Sequence, residues 1–301
     1  MASTKDAVDK LLLRHNEVFA ELFNFAIYNG APVIDPNDLR DIPTNLVVKN
    51  EKTKIFSQKN RDVAKQLVIK DGKKHRYAVL AVENQSSLDP SMPLRCLEYD
   101  VASMRESYNK DHTIRPVVTI VFNTSGKPWT TNRTIKNMCN QGSFDPVIDQ
   151  LGVMNYKIIV VSPCEWDTNY IEKMQTDLFP LALLLNVSSS KERLSAFAQN
   201  DRLKSWKASE DLWNAIEAHT DGVISRTDKE DMNMCKALND LIKEKDAAIA
   251  AAQTEAETAK KQGYLFIDIG NAFHNGADTL EKLIAAGFDE EIAKEYLSYR
   301  T

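Results

Sequence analysis

The stretch RDVAKQLVIKDGKKHRYAVLAVENQ, residues 61–85, reads as two β-rich runs joined across Asp71-Gly72. Asp-Gly between such runs is a strong hairpin signal. The second run then does something a buried strand should avoid. After the apolar Tyr77–Val82 it finishes on Glu83-Asn84-Gln85. Side chains alternate across a strand, so Glu83 and Gln85 share one face. Burying a carboxylate costs several kcal/mol unless a charge, a hydrogen bond or a metal compensates. The open end of the hairpin is therefore a candidate site, and register decides what joins it. If Lys70 pairs with His75, Asp62 falls opposite Glu83. A two-residue Asp71-Gly72 turn moves its partner to Ala81 and leaves Glu83 diagonally near. Either register brings two carboxylates and an amide together.

Working outward, Val8, Leu11, Leu12, His15, Val18, Phe19, Leu22 and Phe25 recur at helical spacing and predict one amphipathic helix over 5–28, stopped by Asn29-Gly30. Residues 31–48 contain three prolines and read as a loop with a short strand. Beyond Pro93, Leu94, Leu97, Val101, Met104 and Tyr108 are spaced as a helix, and the rings of Tyr77 and Tyr108 are expected in the core. RPVVTIVFN (115–123) and YKIIVVSP (156–163) are near-continuous apolar runs of the kind buried on both faces of a sheet. From Trp166 onward only helices are expected. Thr227-Asp228-Lys229-Glu230 is a capping box opening a long helix over about 227–262. The tail predicts two short helices turning at Gly287. Asp289, Glu290, Glu291 and Glu295 on the second would repel phosphate, so a structural or oligomerisation tail is expected over a DNA-reading helix pair. The order of elements predicts an α/β or α+β core with helices flanking a central sheet.

A chain of 301 residues, 43% of them hydrophobic, can bury a full core. No apolar run approaches the ~20 residues that span a bilayer; the longest, residues 178–187, contains Pro180. The N-terminus lacks the apolar core of a secretory signal. Cys96, Cys139, Cys164 and Cys235 show no ligand spacing and are expected as free thiols in a reducing cytoplasm. The net charge of −5 hides an asymmetry. Lys49–Arg76 holds ten Lys/Arg against three acids, whereas residues 208–301 hold ten against nineteen. The basic stretch, with Lys59, Arg61 and Lys65, either attracts a phosphate backbone or is a solvated hairpin face.

A hard divalent cation takes oxygen ligands, and Mg²⁺ typically uses one or two carboxylates. Asp62 and Glu83 supply them, and the Asn84 carbonyl is a candidate third oxygen. A cation there would polarise a phosphate and lower the pKa of an attacking water, which Gln85 could orient. This is the logic of the PD-(D/E)xK nucleases, where Gln85 is usually a lysine.

Glu83-Asn84-Gln85-Ser86, followed by Met92-Pro93-Leu94-Arg95 and Tyr99, carries an E-x-Q-[ST] signature and a MPxR…Y helix. With Asp62, these closely resemble the recombination-promoting nuclease (Rpn) family of bacteria, described also as PD-(D/E)xK nuclease-type transposases. HNEVFAELFNFAIYNG, VVTIVFNTSGKPWTTNRT and YKIIVVSP are similar to further segments of that family, so the resemblance spans roughly residues 10–200. It implies a PD-(D/E)xK core (a mixed sheet flanked by helices) over 1–200, and the helical patterns beyond it predict an all-helical C-terminal region over 201–301. It also implies a metal-dependent DNA endonuclease acting in recombination or mobile-element biology on double-stranded DNA. Asp62 and Glu83 would bind Mg²⁺ (or Mn²⁺ or Ca²⁺), and Gln85 would complete the catalytic set. Asn16 stands where the family commonly has an acid, with Glu17 and Glu21 nearby to deputise. Arg95 and Tyr99, one helical turn apart, would face either the site or the phosphate. A homodimer through the C-terminal helices is expected, and no membrane. The alternative is a nuclease fold that binds DNA or protein and cuts little or nothing.

Overall fold

The computed structural model describes residues 4–49, 56–71, 74–139, 150, 155–187, 200–220, 243, 247–248, 250–255 and 267–298. The hairpin takes the first of its two registers. Strand β4 (Val63–Asp71) pairs antiparallel with β5 (Lys74–Gln85), Lys70 opposite His75 and Val63 opposite Val82. The ladder ends there, so Asp62 immediately precedes it at the level of Glu83. Residues 72–73 lie outside the described set.

Short β1 (Leu39–Asp41) pairs antiparallel with β4, while β6 (Val117–Asn123) and β7 (Ile159–Val161) continue the sheet parallel to β5. The result is a mixed five-stranded sheet, β1-β4-β5-β6-β7; β2 (Asn45–Lys49) and β3 (Phe56–Asn60) pair separately. Parallel neighbours need a crossover, and helix α3 (Met92–Asp111) provides it between β5 and β6. The α/β class is as expected, and the sheet is compatible with a PD-(D/E)xK core.

Helices cover both faces. Val121, opposite Glu83 on β6, packs with Met92 and Cys96 of α3, Trp129 and Ile158. On the other face Lys65 of β4 reaches the Arg14 carbonyl and the Phe19 ring. The helix Leu178–Val187 is apolar all round and buried from Leu178 to Asn186, as a core helix must be.

The helix expected over 5–28 is two: α1 (Thr4–Leu13) and α2 (Asn16–Tyr28). His15 breaks the run with extended backbone and pairs with Asp211 at 2.8 Å. The bend lets Leu12 and Leu13 as well as Val18, Phe19 and Leu22 be buried, and it lays α1 against the helix Glu210–His219. The left-handed Asn29 and Gly30 end α2 as expected.

The expected burial of Tyr108 is also corrected. Leu94, Val101 and Tyr108 lie exposed on α3, and Tyr77 is only half-buried. The buried face of α3 is instead Met92, Cys96, Asp100, Ala102, Ser103 and Ser107. Small and polar side chains there allow close approach to the sheet, where Asp100 accepts from Arg61, Thr119 and Tyr156.

The chain divides into two compact units, Met1–Leu241 and Ile242–Thr301. The first holds the sheet and also the helix Glu210–His219, beyond the residue-200 boundary read from sequence. In the second, helical residues 267–274, Leu280–Ala285 and Glu290–Ser298 gather around Ile269, Leu283 and Ala293. Gly287 makes the expected turn with φ 93°. The capping box at 227–230 lies outside the described residues, as do both ends of the long helix. Among the described residues no helix is long and apolar enough to cross a membrane, and Cys96, Cys139 and Cys164 are free.

Candidate active site

β5 carries its last residues past the end of β4 because β6 still supports it, with Glu83 opposite Val121 and Gln85 opposite Asn123. Glu83 therefore sits in the sheet interior, fully buried. Neither of its carboxylate oxygens has a hydrogen-bond partner. The nearest cation is the Arg95 guanidinium of α3, 3.9 Å from Oε2. Burial, reinforced by the neighbouring Asp62 carboxylate, pushes Glu83 up to about 8, with Arg61, Arg95 and Lys10 pulling the other way.

Asp62 is differently placed. Its Oδ2 accepts from the Asn84 backbone N–H at 2.8 Å. Its Oδ1 accepts from the Lys10 ammonium of α1 at 2.6 Å. Asn84 is the pivot of the site. Its N–H fixes Asp62, its carbonyl accepts from Gln85 Nε2 at 2.8 Å, and its side-chain amide donates to Asp9 at 3.0 Å. Alternation turns Asn84 toward α1 while Glu83 and Gln85 face α3. Asp9 is in turn paired with His219 at 2.9 Å, both buried.

The expected supporting residues separate into those at the site and those elsewhere. Arg95 is at the site, held by Asp89 at 2.7 Å. Tyr99 lies under the Arg61 guanidinium. Asn16 instead donates to the Pro36 carbonyl at 3.1 Å. Glu17 is exposed, and Glu21 caps the start of a distant helix through Gln175 and Thr176. Neither glutamate replaces the missing acid.

The expected DNA contacts at Arg61 and Lys65 are corrected, because both cations are buried. Arg61 is spent on Asp100 and Thr119 at 2.8 and 2.9 Å. Lys65 is spent on Asp41 and the Arg14 carbonyl. A buried guanidinium or ammonium with its hydrogen bonds satisfied holds elements together and does not reach phosphate. Lys59 is in β3, and its side chain lies outside the described residues.

Sequence reasoning missed Asp9, Lys10 and His219. The signal for α1 was present, since Asp6, Asp9 and Lys10 share one helical face. His219 carried none, lying 210 residues from its partner.

Among the described residues no three His, Cys, Asp or Glu side chains cluster at metal-binding distance. The donor set nonetheless fits a hard divalent ion. The two orphaned oxygens of Glu83 lie beside a second carboxylate, and Mg²⁺ asks no more than two from the protein.

A model of the family described as "Putative transposase, YhgA-like" matches residues 31–193. That span includes Asp62, Glu83, Gln85, Arg95 and Tyr99 and leaves out α1 and α2. No curated protein and no solved structure matches the chain.

Proposed function

The chain belongs to the YhgA-like transposase family, and from that premise we propose that it is a divalent-metal-dependent DNA endonuclease. The observation that carries this reading is Glu83, a fully buried carboxylate with both oxygens unpartnered beside Asp62. An uncompensated buried carboxylate costs several kcal/mol. A buried acid left without a partner beside a second carboxylate supports a cation site there.

Asp62 and Glu83 would hold the ion, Mg²⁺ or a substitute such as Mn²⁺ or Ca²⁺. When bound, it supplies Lewis-acid polarisation of a phosphodiester and acidifies water. Gln85, on the same face as Glu83, orients the attacking water through its amide and contributes no charge. Arg95, about one-third exposed, places a fixed positive charge where a phosphate backbone would pass. The substrate class is double-stranded DNA, and the setting is recombination or mobile-element biology in a bacterial cytoplasm. The C-terminal helical region serves as a homodimerisation module.

A second reading has its own support. Lys10 already neutralises Asp62, and Gln85 is turned onto the Asn84 carbonyl, as in a nuclease fold that binds without cutting.

Supercoiled-plasmid cleavage with Mg²⁺, Mn²⁺, Ca²⁺ or EDTA, using wild type, Asp62→Ala and Glu83→Ala, separates the two. Metal-dependent nicking that falls to background in both variants is the expected result. DNA binding in EDTA without cleavage under any metal selects the second reading. Cleavage that survives both substitutions removes Asp62 and Glu83 from the active site.

A further inference from the structure

Two cations flank the carboxylate pair, and they are held differently. Arg95 is committed to Asp89 at 2.7 Å and stands 3.9 Å from Glu83. Lys10 reaches in from α1, its side chain 27% exposed, and ends 2.6 Å from Asp62 Oδ1. A guanidinium is a rigid fork, whereas an ammonium is a point charge on a flexible four-carbon stem with three donors. Lys10 can therefore leave Asp62, or share it, without disturbing the sheet.

Asp62 has both oxygens engaged, Oδ2 by the Asn84 N–H and Oδ1 by Lys10. Glu83 has neither engaged. A divalent ion entering the pair therefore contends with one group above all, the Lys10 ammonium. A group that sits on Asp62 also sits beside whatever Asp62 binds. The motif position that commonly supplies a cation in such sites holds Gln85, which carries no charge.

We propose that Lys10 is the cationic catalytic residue of this site, neutralising Asp62 in the metal-free protein and transferring its ammonium to the phosphate of the substrate when a divalent ion binds. The inference rests on the nuclease reading above. It makes Lys10 both a competitor of the metal and a stabiliser of the reacting phosphate. Removing it therefore has two effects of opposite sign. Competition for Asp62 is a coupling between two ligands of one carboxylate, so losing Lys10 tightens metal binding. Losing a positioned positive charge slows phosphodiester cleavage. A salt bridge that only props α1 against the hairpin can produce the first effect but not the second.

The test compares wild type, Lys10→Met and Lys10→Arg by Mn²⁺ titration calorimetry without DNA, and by single-turnover plasmid cleavage at saturating Mn²⁺. Lys10→Met is expected to bind Mn²⁺ about fivefold tighter and to cleave about 100-fold more slowly. Lys10→Arg, which keeps the charge, should recover most of the rate. Unchanged affinity together with an unchanged rate overturns the proposal. Tighter binding with an unchanged rate overturns the transfer to phosphate. If the wild type binds Mn²⁺ and cleaves while Lys10→Met matches it, only this inference fails. If the wild type neither binds nor cleaves, the nuclease reading fails and takes this inference with it.

Discussion

The two faces of β5 treat a buried carboxylate in opposite ways. On the α1 face, Asp9 is fully buried and accepts from both Asn84 and His219. On the α3 face, one residue earlier along the strand than Asn84, Glu83 is equally buried and accepts from nothing. Burial alone therefore does not distinguish structure from site. The satisfied acid ties α1, β5 and the helix Glu210–His219 together. The unsatisfied acid costs stability once it ionises, and in the function proposed above it is kept for a cation.

This contrast predicts stability changes of opposite sign. The largest effect belongs to the satisfied face. Asp9→Ala leaves the His219 ring and the Asn84 amide buried without their partner, at a cost of roughly 3 kcal/mol. Urea or thermal melts in EDTA should show it, and a near-neutral result would mean that the network is not holding the helix Glu210–His219 in place. Arg61→Ala belongs to the same class. It leaves the buried Asp100 without its cation and should lower stability by about 3 kcal/mol, while DNA affinity of the folded protein stays unchanged.

Glu83→Gln should act the other way. Glu83 is raised from the ordinary 4.5 to about 8 in the folded chain, so the folded state holds a proton that the unfolded state has released. Its contribution to stability is complete below about pH 4.5 and is lost as pH rises through 8. Metal-free wild type should thus lose melting temperature across that window. Glu83→Gln should lose less, and at pH 8 and above it should melt at the higher temperature. Equal slopes for the two proteins would show that Glu83 is compensated after all. The smallest effect is expected far from either face. The exposed pair Lys70–Asp38 should contribute less than about 1 kcal/mol, measured as Lys70→Ala in the same melts.

The central hairpin was legible because strand alternation and one register place Asp62, Glu83 and Gln85 together without reference to the rest of the chain. The break at His15 was not, since Arg14-His15 contains neither glycine nor proline and the apolar spacing runs straight through it. On α3 the helix was legible but its orientation was not. Leu94, Val101 and Tyr108 form the obvious apolar stripe, yet a buried Arg61–Asp100–Thr119 network set against the sheet decides which side faces in. For the same reason Arg61 and Lys65 looked like phosphate contacts. Their partners lie 39 and 24 residues away, and no local pattern announces a satisfied cation. Lys10 and His219 lie outside the signature segments and join the site only through folding.

The central claim is that the unsatisfied face of β5 is a divalent-cation site. Calorimetric titration of Mn²⁺ into metal-free wild type and Glu83→Gln at pH 7.5–8 (a range near the raised Glu83 value) tests it directly. The account predicts one ion per chain in the wild type, with proton release as Glu83 ionises, and loss of that binding in Glu83→Gln. Equal binding by both proteins, or none by the wild type, would contradict it.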